Sequence, residues 1–293
     1  MRIVVLTALA MVPLAANSVL NRMALVGGDI DPVSFGIVRL CAGAVALMVL
    51  VAVLQGGLHW RMLGLDRWTR WVGVGSLLLY IFGFSLAHQA LDAGLGALIL
   101  FGVVQMTMFV GGVVQREPLP PLRWIGAGVA FGGLIWLLWP GAGLQISTAH
   151  GVLMAAAGVG WGVYSLAGRA GGDPIIGTAA NFLLAALAAL AMSLLLPNDA
   201  PMQITGGRGV ALAILSGAVT SGLGYALWYS VLPHLAASVA SVVQLSVPVM
   251  AMALSAVILG EEVTAQFILA AGLVLGGVAL SLIPGLSRGK ERL

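Results

Sequence analysis

Charge is scarce in this chain. Of its 293 residues only 8% are Asp, Glu, Lys or Arg, against 60% hydrophobic. A soluble domain carries roughly 25% charged residues, so the composition excludes a water-covered globular protein and points to a lipid-covered one. Cysteine is rarer still: Cys41 stands alone, which excludes an internal disulfide, a CxxC metal pair and iron–sulfur ligation. The acidic residues avoid the centres of the apolar runs, so the buried carboxylate that often serves proton-driven carriers is absent. Coupling would have to run through His88 or the end-located Asp92, Glu117 and Glu261; uniport or exchange stands equally open. GxxxxGKS/T, GxSxG and HExxH do not occur, leaving ATP hydrolysis and an intramembrane hydrolase without support. We expect no catalytic residue, no metal and no cofactor. A net charge of +3 is too small to suggest nucleic acid.

What is present is a series of apolar runs of about 20 residues, the length that spans a hydrocarbon core. Ten are predicted: Ile3–Met23, Val33–Leu54, Trp71–Ala90, Ala93–Val114, Leu122–Leu138, Gly151–Ala170, Ile175–Leu196, Val210–Leu232, Ala236–Leu259 and Ala265–Ile283. Placing the N-terminus inside puts Arg2, Arg61, Arg67, Arg70, Arg116, Arg123, Arg169, Arg288, Lys290 and Arg292 on the cytoplasmic side. Only Arg22 and Arg208 fall outside, and Arg39 lies within a span. That asymmetry predicts cytoplasmic termini in an inner (plasma) membrane. Trp60, Trp68, Trp71 and Trp124 fall at the cytoplasmic interface, Trp136 and Trp139 at the other.

The halves resemble each other. Asp31-Pro32 opens the second run and Asp173-Pro174 the seventh; eight residues on stand Arg39 and Asn181. Glu117, Gly128, Gly132 and Gly133 recur 144 residues later as Glu261, Gly272, Gly276 and Gly277. Five helices per copy is an odd number, so the second copy is inverted. The predicted fold is an all-α polytopic membrane protein of ten transmembrane helices in two inverted five-helix repeats (1–142 and 143–285), followed by a basic tail, 286–293. Arg2 and the small residues Ala15-Ala16-Asn17-Ser18 also fit a signal peptide, but the repeat requires this segment as a retained helix. Inverted repeats recur in secondary transporters.

DPVSFGIVRLCAGAVAL (Asp31–Leu47), LGALILFGVVQMTMFVGGVVQREPLPPLRWIGAGVAFGGLI (Leu95–Ile135) and the mirror segment SVASVVQLSVPVMAMALSAVILGEEVTAQFILAAGLVLGGVAL (Ser238–Leu280) resemble the EamA-like branch of the drug/metabolite transporter superfamily. The resemblance covers nearly the whole chain. It implies an inner-membrane carrier, often an exporter of amino acids or related metabolites. A channel or lipid-linked flippase of the same fold is the alternative. One departure stands out: Ala16-Asn17 replaces the tryptophan-glycine pair that many relatives carry in the first helix, while Trp161-Gly162 keeps it in the second copy.

Polar side chains deep in apolar helices need a partner, water or substrate. Asn17 and Asn21 share one helix face, as do Tyr80, Phe84 and His88, at spacings of four residues. Phe101, Gln105, Trp161, Tyr164, Tyr225, Trp228 and Gln244 complete a predicted aromatic-walled pocket with a few amides and hydroxyls, suited to an organic metabolite. Amides can equally cross-link helices, and aromatics can simply pack. Arg39 could bind a substrate carboxylate or snorkel to headgroups. His59, His150 and His234 read as loop residues. Gly128/Gly132 and Gly272/Gly276 are expected as small-residue packing seams, with a homodimer interface the other reading. Pro248 marks a kink or a hinge in the ninth helix.

Overall fold

The computed structural model describes residues 2–26, 28–57, 60–91, 93–116, 120–137, 148–168, 173–194, 204–259 and 265–282. Asp92, Glu117, Glu261, His59, Trp139, Arg169, the repeat boundary and the basic tail lie outside them. Among the described residues there is no strand, and an isolated bridge pairs Ile30 with Ile204. The helices are α1 (Arg2–Val26), α2 (Pro32–Gln55), α3 (Trp68–Ala87), α4 (Ala93–Val114), α5 (Pro121–Leu137), α6 (Thr148–Gly168), α7 (Pro174–Ser193), α8 (Gly207–Leu215), α9 (Gly224–Val231), α10 (Ala237–Gln244), α11 (Ser246–Leu259) and α12 (Ala265–Leu282). A π-helical stretch, Ser216–Leu223, joins α8 to α9, making one rod from Gly207 to His234.

Seven segments among the described residues are long and apolar enough to cross a membrane: α1, α2, α3, α6, α7, the Gly207–His234 rod and Ala237–Ile258. This is a multi-pass membrane protein. The described part of α5, 17 residues, rises about 25 Å at 1.5 Å per residue, short of a hydrocarbon core of about 30 Å.

Local chemistry explains the helix starts. Asp31 accepts from the backbone N–H of Val33 at 2.9 Å and Ser34 at 3.1 Å. Asp173 does the same with Ile175 at 2.8 Å and Ile176 at 3.1 Å. In both helices proline follows at the first helical position, where its missing N–H costs nothing. Each cap therefore fixes where its helix begins. The predicted break near Pro248 appears as the division between α10 and α11 at Leu245. Proline at 248 cannot donate to the Gln244 carbonyl one turn back.

α5 lies against α12 and α2 against α7; α3 packs on α6, and α1 packs on the Gly207–His234 rod. The α5–α12 contact corrects one expectation. Gly128, Gly132, Gly272 and Gly276 have open space where a Cβ would stand, so neither pair is the packing seam. The glycines one residue further carry the contact: a Cβ on Gly277 would sit 2.6 Å from Ala130 N, and one on Gly133 2.8 Å from Leu273 Cβ. The GxxxG spacing names a helix face but not which face meets the partner. His150 is also no loop residue; it lies in the first turn of α6.

Candidate functional site

The centre of the bundle holds a cation. Arg39 on α2 is fully buried. Its Nε donates to Ser221 Oγ at 2.8 Å and its Nη2 to the Tyr225 hydroxyl at 2.7 Å. Its Cζ stands 5.5 Å from the centroid of the Tyr80 ring, within cation–π range. Its Nη1 is buried with no hydrogen-bond partner. Among the described residues only neutral groups meet this guanidinium. Snorkelling is thereby excluded for Arg39, since it points into the bundle rather than out to headgroups. Close backbone approach makes this geometry possible: a Cβ on Gly217, in the π-helical stretch, would lie 2.2 Å from the Arg39 carbonyl oxygen. The π winding thus carries Ser221 and Tyr225 up to α2, and such wide turns recur at functional sites.

Amides and rings surround the cation. Asn17 donates to the Tyr225 hydroxyl at 3.4 Å and accepts from Ser216 and from Thr220, the latter at 3.2 Å. The Tyr225 hydroxyl is in turn 3.4 Å from that of Tyr80. Trp161 lies 4.7 Å from Tyr225 and 5.0 Å from Tyr80, centroid to centroid. Its indole N–H donates to Gln244 Oε1, whose amide nitrogen donates to Met108 Sδ at 3.2 Å and Ala240 O at 3.3 Å. Phe182 on α7 closes on Tyr225 at 5.9 Å. Such a wall packs apolar surface while hydroxyls and a cation remain to orient a polar group.

Of the predicted residues, Asn17, Arg39, Tyr80, Phe84, Trp161, Tyr225 and Gln244 converge. Tyr164 adjoins Trp161 at 6.0 Å, and Phe84 adjoins Tyr80 at 5.7 Å. Asn21 and Trp228 are wholly buried with side-chain polar atoms unpartnered. Phe101 packs in the apolar core. His88 ends the α3 row: it stacks on Phe84 at 4.3 Å, and its Nδ1 lies 2.8 Å from the Phe84 carbonyl. Gln105 does not join. It lines a surface groove with Met106, Phe109, Trp124 and Phe131 between α4 and α5. Its helix is apolar all round, so spacing alone left its facing open. Ser216, Thr220, Ser221 and Phe182 were not anticipated. The hydroxyls sit in the glycine-rich run SGAVTSGLG, the one signal that could have pointed to them.

A second feature opens at the ends of α3, α6 and α7. A cavity of about 300 Å³ is lined by Arg67, Arg70, Asp173, Asn181 and Tyr229, among others. Arg70 donates from Nε to Leu63 O at 2.8 Å and from Nη1 to Gly177 O at 2.7 Å and Asn181 Oδ1 at 2.6 Å. Asn181, which follows Asp173 by eight residues as Arg39 follows Asp31, therefore holds an arginine in place rather than supplying a charge.

Three comparisons place the chain among known proteins. The sequence profile of the EamA-like transporter family matches residues 150–283. An uncharacterized protein of Pseudomonas aeruginosa is 44% identical over 288 residues, 98% of this chain and 96% of its own. A solved crystal structure superposes with a TM-score of 0.77 over 96% of this chain and 97% of its own; at 18% identity that likeness concerns the fold alone.

Proposed function

The chain belongs to the EamA-like transporter family, part of the drug/metabolite transporter superfamily, and from that premise we propose that it is a secondary carrier. It moves a small organic metabolite bearing an anionic group, an amino acid or related solute, outward across the inner membrane. Ten membrane helices form two inverted five-helix repeats with both termini cytoplasmic, and the halves rock about a site between them. The matching Asp-Pro caps and the matching helix pairings support the repeat.

One observation carries the reading: Arg39, buried between the halves, has a free Nη1 and only neutral partners among the described residues. A cation inside a membrane protein is costly unless something compensates it. A substrate carboxylate accepts from the buried, unpartnered Nη1 of the guanidinium, and Tyr80, Trp161 and Phe182 take the apolar part. The test is flux of candidate metabolites in proteoliposomes, with and without an imposed pH gradient. Saturable flux with counterflow of an amino acid or similar acid is expected. Folded protein that moves no such solute sinks the assignment.

A further inference from the structure

The cavity at the ends of α3, α6 and α7 is not used by the Arg39 cluster. Three observations give it a chemistry of its own. Two arginines line it, Arg67 and Arg70, and Arg70 is fixed by three hydrogen bonds through Nε and Nη1. Its Nη2 takes no part in those bonds. The acid on the wall, Asp173, is turned to its own helix, accepting from Ile175 N and Ile176 N. Finally, the buried Tyr229 ring lines the cavity beside Gly168.

We propose that this cavity is a second anion-binding site, taking the carboxylate or phosphate group of a small solute through Arg67, Arg70 and Asn181. Its volume suits a small organic ligand. A line of rings leads inward: Tyr229 meets Tyr164 edge-on at 5.1 Å, Tyr164 lies 6.0 Å from Trp161, and Trp161 lies 4.7 Å from Tyr225. The site thus serves as an antechamber to Arg39. The anion chemistry stands alone; the role as antechamber rests on the carrier reading. Gly168 makes the floor possible, since a Cβ there would lie 2.1 Å from the Tyr229 ring.

The test uses full-length protein in phosphatidylcholine nanodiscs and equilibrium dialysis with radiolabelled benzoate. The Arg39→Gln background removes the central cation, so remaining saturable binding reports the cavity at the ends of α3, α6 and α7. Arg70→Gln in that background is expected to weaken binding about tenfold or more, the worth of a charged hydrogen bond. Arg67→Gln weakens it severalfold and keeps the test open should Arg70→Gln fail to fold. Undiminished binding in these variants, or none in folded Arg39→Gln protein, overturns the proposal. A lipid headgroup could supply the same anion. Equal benzoate binding in phosphatidylglycerol nanodiscs supports a solute site; its loss there assigns the cavity to lipid and overturns it. Should Arg39→Gln leave flux intact while Arg70→Gln abolishes benzoate binding, the central reading fails and this one stands.

Discussion

Gly217→Ala probes the joint between packing and site. The added Cβ would stand 2.2 Å from the Arg39 carbonyl oxygen, a distance no carbon–oxygen pair tolerates. α2 and the π-helical stretch must then part by about 1 Å, and overpacking of this kind costs about 1–3 kcal/mol. Arg39 on α2 bonds to Ser221 in that stretch at 2.8 Å and to Tyr225, in the first turn of α9 that continues it, at 2.7 Å. Lengthened by about 1 Å, neither remains a hydrogen bond. The variant should therefore lose stability and flux together. Thermal unfolding of detergent-purified protein followed by proteoliposome flux reads both. Gly128→Ala is the control, because nothing lies within 4 Å of its Cβ position; it should match the parent within about 0.5 kcal/mol. Parent-like stability and flux in Gly217→Ala would show that the close approach, and the site built on it, is wrong.

Further outcomes follow from the same geometry. Tyr225→Phe leaves Arg39 Nη2 without its acceptor and should lower flux about tenfold or more, with the protein still monodisperse on size exclusion. Asp31→Ala and Asp173→Ala each remove a cap with two backbone bonds; each should cost about 0.5–2 kcal/mol in thermal unfolding.

Much of the architecture was legible because hydrocarbon imposes a length and a polarity that a linear pattern records. The Asp-Pro pairs at 31 and 173 marked helix starts that the caps then fixed. The cluster of side chains was legible where polar residues interrupt apolar helices in rows, as at Asn17, Tyr80, Trp161, Tyr225 and Gln244. It was not legible where facing depends on tertiary register. Gln105 is the lone amide on an apolar helix, so no polar stripe orients it. Ser216, Thr220 and Ser221 reach the site through π winding, which a periodicity of 3.6 does not encode. Nothing local distinguishes Arg70 from the other basic residues on the cytoplasmic side, because its bond to Asn181 crosses 111 residues of chain. The GxxxG pairs were misread for a related reason: contact passes to Gly133 and Gly277, one residue further round the helix.

The central claim is that the Arg39 guanidinium receives the anionic end of the cargo. Its most direct test compares saturable uptake of a transported carboxylic acid with that of its neutral amide, in parent and Arg39→Gln proteoliposomes. The parent should prefer the acid and the variant should lose that preference, with its remaining flux equal for the two solutes. A variant that still favours the acid to the same degree contradicts the account.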